Sequence, residues 1–590
     1  MSSLDLWVTV NRSLVAKALG ELAYEQVLRP ALLEANVEEG VDKYEIVLKT
    51  GVAYRFRAWR SVWEHLRVRP DSVERIEGAK SEKVQSAGQF FIDAKLDLEM
   101  SDIVLGNFLD EMHSTLFSDM RLLERTKDLS AEELSDWDGH RLQTVLYGHP
   151  KILLNKGRMG WGATDLSRYA PESDEKFQLF WVALRVSKTV IGKQEGLDCK
   201  ELYLECLNES DLNAFEERIS ELGLNPKDYV FAPVHPWQWD RYIRIHFAGE
   251  ISKNDIIPLG TAGDFYSPQI SIRTLSNLTR PEKSDIKLPL TILNTSAIRG
   301  IPSRYIKSAP AVSQAIARIC EADPLLKEAG TEVLQEKAGF AFEHSVYSQV
   351  KAAPYRYHEL LGVIWRESVA SKLASGEKGI ITGSLFHQDF KGHSLIGAYI
   401  KKSGLSVGEW LRRYFDVVVI PLYHLQLKYG LGLVAHGQNI MLKLKNYAPA
   451  GMWLKDFHGD LRLSAKETEL QKKFLASVTG SLDRLPPHYL IHDLLTGHFI
   501  TVLRFVSETL QESDGFPEME FYRILAGRVR EYHERHGGPL DKETNLLSEK
   551  VHRVLLNKVR FRIGYADSAE RPLPMLGEDL KNPLHFGEFR

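Results

Sequence analysis

Five short clusters of polar residues concentrate the chemistry available to this chain. The first is Gly148-His149-Pro150 followed by Lys156-Gly157-Arg158-Met159-Gly160. Glycines let a backbone approach an anion, and His149, Lys156 and Arg158 bring charge. It is not a P-loop, because no Gly-Lys followed by Ser or Thr stands at the required spacing. Taken alone, it is equally a loop with surface cations.

The second cluster is Ser271-Ile272-Arg273-Thr274. On a strand, Ser271 and Arg273 point to one face, where a hydroxyl and a guanidinium suit a phosphate. Taken alone, that pair is better explained as the exposed face of an amphipathic strand. The third runs from Lys287 through the apolar stretch Leu288 to Leu293 into Asn294-Thr295-Ser296 and on to Arg299-Gly300. Two cations around a polar turn fit a polyanion, although Asn and Ser form turns whatever the function. The fourth, His436-Gly437-Gln438-Asn439, closes the apolar run Leu431 to Ala435. Histidine binds carboxylates or relays protons, and an Asn oxygen can ligate Mg²⁺. The fifth, Lys455-Asp456-Phe457-His458-Gly459, sets a carboxylate among cations, a place for Mg²⁺ or for a loop ion pair. His235-Pro236-Trp237-Gln238, Trp365-Arg366-Glu367 and His387-Gln388-Asp389 are individually uninformative.

These clusters need elements to hold them. Up to residue 146 the chain reads as mostly helical: Val8 to Leu28 and Ile103 to Leu123 have helical periodicity, and Ser130-Ala131-Glu132-Glu133 has capping-box spacing. Tyr44 to Trp63 alternates about Thr50-Gly51 like a hairpin. Residues 147–351 read as sheet-rich, with β-prone runs at Phe177 to Val190, Tyr229 to Val234, Ile270 to Leu275 and Leu288 to Leu293. Residues 352–590 return to helix at Tyr357 to Leu373, Val407 to Tyr429, Lys466 to Thr479, His488 to Leu510 and Phe521 to Arg535. The class is α+β in three regions.

Composition sets the outer limits. A length of 590 residues exceeds one core. With 75 basic against 79 acidic side chains, nothing calls for nucleic acid or a membrane surface. Three cysteines, with no Cys-x-x-Cys pair, make neither a disulfide framework nor a zinc site and fit a reducing cytosol. Met1 to Gly20 is broken by Asn11, Arg12 and Lys17, so it reads as neither signal peptide nor membrane span. The expected location is cytoplasmic.

In this order and spacing, the clusters from Gly148 to Asp456 resemble the aerobactin-synthetase-like family, which assembles siderophores without a nonribosomal peptide synthetase. The resemblance implies a cupped hand of thumb (1–146), fingers (147–351) and palm (352–590), with ATP between fingers and palm. It implies adenylation of a carboxylate, loss of pyrophosphate, and attack by an amine. By position, Ser271, Arg273, Lys287, Thr295 and Arg299 would contact ATP, His149, Lys156 and Arg158 would close over its phosphates, and His436 and Arg299 would face the substrate carboxylate. Lys287, Arg299 and His436 are the expected catalytic residues, and Asn439 and Asp456 the expected Mg²⁺ and nucleotide contacts. One departure is plain: Ile152 and Leu153 stand where many members have a second His-Pro. Overall look, including Phe386-His387-Gln388-Asp389-Phe390, resembles members that join N-hydroxy-N-succinyl diamines (succinyl-hydroxycadaverine or -putrescine) into hydroxamate chains or rings. Citrate or a citrate monoamide is the alternative acid. A phosphotransferase or a non-catalytic ATP-binding protein is the alternative class, against which stands the absence of P-loop and kinase signatures. Related enzymes imply a homodimer.

Overall fold

The computed structural model describes residues 1–295, 297–539, 542–563 and 575–586; Ser296, in the third cluster, lies outside them. The chain opens with helix Ser3–Tyr24, started by a capping box between Ser2 and Asp5. Its apolar face packs on a sheet that includes the expected hairpin, Val41–Val47 against Ala53–Arg60. That hairpin is part of six strands rather than a lone pair in helical surroundings. The others are short or solvated: Ala31–Glu38 is exposed over most of its length and Lys80–Lys83 over all of it, so neither carries the alternation that marks a strand. Helix Asp102–Thr126 closes this core.

The middle of the chain builds an eight-stranded antiparallel sheet. In spatial order its strands are Thr189–Lys193, Glu336–Phe342, Gly362–Arg366, Asp285–Lys287, Thr274–Asn277, Ile256–Pro268, Phe177–Arg185 and Tyr229–Val234. Gly362–Arg366 corrects the helix expected over Tyr357 to Leu373. All five residues are buried, and a short run that is apolar on both faces has no period to distinguish strand from helix. Register aligns Thr274 with Lys287 and Asp285 with Arg366, bringing polar ends of three adjacent strands together.

The remainder is helical around a large core, with Val407–Tyr414, Ile420–Tyr429, Pro487–Leu494, Arg504–Asp514 and Glu518–His536 as its main helices. It also holds sheets that the helical reading omitted. Thr331–Val333, Ala448–Leu454, Ile440–Lys445 and Glu377–Ile381 form four strands, and Leu431–Leu433, Leu461–Ser464 and Asp483–Leu485 form three. Helix Ala309–Ala322 contributes Val312, Ile316 and Ile319 to this same core. The architecture is α+β.

Candidate functional site

The polar ends of the eight-stranded sheet meet the loop that leaves strand Ala448–Leu454. Asp456 sits on that loop at a left-handed φ of 62°, which turns its carboxylate back toward the sheet. Lys287 Nζ donates to Asp456 Oδ1 at 2.6 Å, Arg366 Nη1 to Oδ2 at 3.1 Å, and Lys455 Nζ lies 3.6 Å from Oδ2. Arg366 Nη2 donates to Asp285 Oδ2 at 2.7 Å, and Gln269 Nε2 to the same oxygen at 2.8 Å. Glu336 Oε2 lies 3.3 Å from His458 Nε2. Arg366 is 1% exposed. Three cations thus face three carboxylates in a buried knot between two sheets. Burial pushes the Asp456 carboxyl up, but Lys287, Arg366 and Lys455 together outweigh it and hold the group well below the usual carboxylate range. Burial also depresses the Lys455 ammonium to about 8, and Arg366 adds to that effect.

The Ser271 to Thr274 segment is a turn, not a strand. Ile272 has φ 61°, and the strand begins only at Thr274. Ser271 and Arg273 therefore do not share a strand face. Ser271 Oγ accepts the Thr274 N–H at 3.3 Å, while Arg273 Nη1 donates to the Gly300 carbonyl. This reach ties the turn to the hairpin Leu290–Asn294 with Ala297–Arg299. Thr295, at φ 62°, makes the hairpin's bend, and Arg299 donates to Thr295 Oγ1 and, at 3.2 Å, to the Asn294 carbonyl.

The glycine loop docks on the same hairpin. Met159 N–H donates to the Leu293 carbonyl at 3.0 Å, and Leu293 N–H to the Met159 carbonyl at 3.3 Å. A side chain at Gly157 would have its Cβ 2.0 Å from Glu111 Cγ, so only glycine fits. The loop's cations already have counter-charges: Lys156 Nζ donates to Asp119 at 2.5 Å and to the Tyr147 carbonyl at 2.8 Å, and Arg158 forks onto Glu172. Lys17, from the first helix, donates to the carbonyls of His149 at 3.1 Å and Ile152 at 2.6 Å. Lys151 lies 3.0 Å from both Glu21 and Glu25. Leu153, which replaces a proline, is buried in the N-terminal core, and its N–H donates to Asn557 at 3.3 Å. Of the two departures, Leu153 anchors the loop by its buried side chain and its N–H, whereas Ile152 is held through its backbone carbonyl.

His436 follows strand Leu431–Leu433 by a turn that only close backbones permit. Gly383 N–H donates to the Gly437 carbonyl at 2.9 Å, and a Cβ at 437 would come within 2.7 Å of Gly383 Cα. Burial lowers the His436 imidazole, with Lys455 and Arg299 adding to the effect against Asp460 and Asp456. Burial pushes the His149 imidazole down to about 3, reinforced by His436 and Lys17. Both shifts favour the neutral ring. Asn439 donates to the Val434 carbonyl at 3.1 Å and to Asp460 Oδ2 at 3.0 Å. Asp456 meets the cations, and Asn439, just before the strand paired with the one that leads to Asp456, has Asp460 as its carboxylate partner. Among the described residues no group of three or more His, Cys, Asp or Glu side chains is arranged to hold a metal.

Lys287, Asp456, Arg299 and His436 thus share one neighbourhood, Arg273 holds its hairpin, Ser271 shapes its turn, and His149, Lys156 and Arg158 flank it with their charges matched. Sequence reasoning gave no role to Arg366, Asp285, Glu336 and Asp460. The available signal was Arg366, an arginine ending an otherwise fully apolar strand.

Comparison with known proteins agrees on one group. Residues 141–387 match the IucA / IucC family. Residues 408–568 match a family described as ferric iron reductase FhuF-like transporter. No described helix is long and apolar enough to cross a membrane. An aerobactin synthase from Vibrio mimicus is 39% identical over 98% of this chain and 97% of its own. A putrebactin synthase from Shewanella sp. (strain MR-4) is 31% identical over 98% and 92%. The structure of aerobactin synthetase IucC from a hypervirulent pathotype of Klebsiella pneumoniae superposes with a TM-score of 0.86 at 36% identity, covering 99% of this chain and all of that one.

Proposed function

The chain belongs to the IucA/IucC family of siderophore synthetases, ligases that work without a nonribosomal peptide synthetase, and from that premise we propose that it adenylates a citrate monoamide and joins it to an amine. The observation that carries the reading is the buried cation set Lys287, Arg366 and Lys455, organised by Asp456 beside Arg299 and His436. A carboxylate attacking the α-phosphate of ATP brings several negative charges together, and preorganised buried cations answer that need without reorganisation.

The reaction runs in two steps. A carboxylate oxygen bonds to the α-phosphorus as the bond to pyrophosphate breaks. The amine nitrogen then bonds to the acyl carbon, AMP leaves, and the amine loses a proton. Lys287 and Arg273 neutralise the phosphates, with Ser271 and Thr295 shaping their turns. Of the two ligands expected for Arg299, ATP and the acid, we assign it the acid: Arg299 and His436 hold the attacking carboxylate, since a neutral imidazole donates a hydrogen bond without binding the acid as a salt. Lys156 and Arg158 would have to leave Asp119 and Glu172 to close on the phosphates with His149. Mg²⁺ bound with the nucleotide would supply further charge neutralisation. Asn439 and Asp460 would offer it oxygen ligands, with Asp456 as the counter-ion of the cations.

The substrate reading rests on kinship: a 39% identical relative is named an aerobactin synthase, which favours a citrate-derived acid over the N-hydroxy-N-succinyl diamine suggested by overall look. The 31% identical putrebactin synthase keeps the succinyl diamine as the second reading. A partition into thumb 1–146, fingers 147–351 and palm 352–590, a homodimer and a cytoplasmic location belong to the same proposal. Incubation with ATP, Mg²⁺, an amine and each acid in turn tests it: AMP with a citrate monoamide supports the first reading, AMP with succinyl-hydroxyputrescine alone the second, and ADP neither.

A further inference from the structure

Arg299 ends a short hairpin strand that the glycine loop holds at Leu293 and Arg273 at Gly300. Leu290–Asn294 and Ala297–Arg299 form a two-stranded sheet separate from the larger ones. The segment that follows strand Glu336–Phe342 braces it. Tyr355, at the start of a short turn Tyr355–His358, reaches Ile298 with its phenol. The hydroxyl accepts the Ile298 N–H at 2.7 Å and lies 3.2 Å from the Ile298 carbonyl, to which it donates. One side chain thereby satisfies both backbone groups of the residue before Arg299, as a neighbouring strand would. On the other side, Ile301 N–H donates to the Glu359 carbonyl at 3.3 Å, and a Cβ at Gly300 would meet Glu359 Cβ at 2.2 Å. Arg299 is thus bracketed, at 298 and at 300–301, by residues 355 and 359.

We propose that Tyr355 is a positioning residue for Arg299, fixing the backbone from which the guanidinium meets the substrate carboxylate. The inference rests on the reading of Arg299 as the acid-binding group. A phenol that only stabilised the fold would affect melting and all kinetic constants together. One that aims Arg299 raises KM for the acid and spares ATP.

The test is pyrophosphate exchange on Tyr355→Phe, with acid and ATP varied separately and Tm recorded. One to two hydrogen bonds lost from a half-buried strand correspond to about a tenfold effect. The expected result is an acid KM raised about tenfold, with ATP KM and kcat within about twofold of wild type. Gly300→Ala, which pushes the same backbone against Glu359, raises acid KM in the same direction, and the two changes combined are less than additive. An acid KM within about twofold of wild type in Tyr355→Phe overturns the inference, as does an equal rise for acid and ATP. Arg299→Ala separates the two levels. Exchange surviving in Arg299→Ala sinks the acid-binding reading itself, whereas exchange lost there but normal in Tyr355→Phe sinks only the role of Tyr355.

Discussion

Replacing Asp456 with asparagine keeps its shape and removes one charge from the buried knot. In the native protein Lys287, Arg366 and Lys455 surround Asp456, Arg366 also pairs with Asp285, and Glu336 lies beside His458. Asp456→Asn removes the one charge that all three cations surround. Breaking a buried ion pair by removing one partner costs roughly 3–5 kcal/mol, and a protein of this size then melts lower by several degrees, on the order of 5 °C. The same excess of positive charge should draw the phosphates of ATP more strongly. Ligand binding to the native state raises stability with the logarithm of its occupancy, so the rise in Tm on adding ATP should be larger in Asp456→Asn than in wild type. Thermal melts with and without 5-fold steps of ATP, at fixed Mg²⁺, measure both effects. If Asp456 instead ligates Mg²⁺, the ATP-dependent rise shrinks or disappears. That outcome, or a melting point within about 1 °C of wild type, would refute the counter-ion argument.

Other expectations follow from individual contacts. Arg299→Ala should abolish acid-dependent pyrophosphate exchange while circular dichroism and Tm stay near wild type. Asp493 should couple stability to pH. Burial raises its carboxyl to about 7, with Arg462 opposing and Asp460 adding to the shift. The folded state therefore holds this proton up to about pH 7, the unfolded chain only to about pH 4, and the group's contribution to stability falls as pH rises through that window. Asp493→Asn should accordingly raise Tm at pH 8, by a stabilisation on the order of 2 kcal/mol, and change little at pH 4. Ile152→His alone should leave activity nearly unchanged, because Lys17 grips the Ile152 carbonyl rather than its side chain. Adding Leu153→Pro should destabilise by roughly 3 kcal/mol in urea melts, through a lost core side chain and a lost N–H bond to Asn557.

The site was legible where chemistry is written in consecutive residues. Lys287, Arg299, His436 and Asp456 come from four segments whose order alone joined them, and the structure brings them into one neighbourhood. What sequence missed depends on register. Arg366 and Asp285 meet because their strands pair across the sheet, and nothing local to either residue announces a partner about eighty positions away. The Ser271 to Thr274 segment misled because Ile272 is a β-branched residue in a left-handed conformation, against its intrinsic preference. Likewise Lys156 and Arg158 read as free cations, while their partners Asp119 and Glu172 lie on a helix and a turn without any motif. The long helices at 102–126 and 407–429 were readable from their 3.6-residue period, whereas short buried strands such as Gly362–Arg366 have no period to read.

On the proposed reading, the buried cations serve adenylation of a carboxylate. That reading is tested most directly by identifying what ATP becomes when the protein is given Mg²⁺, a citrate monoamide and an amine, with chromatography for nucleotides and mass spectrometry for the amide. AMP and pyrophosphate should form in step with the amide, and all three should be lost in Arg299→Ala. Formation of ADP, or amide formed without AMP, would contradict that reading.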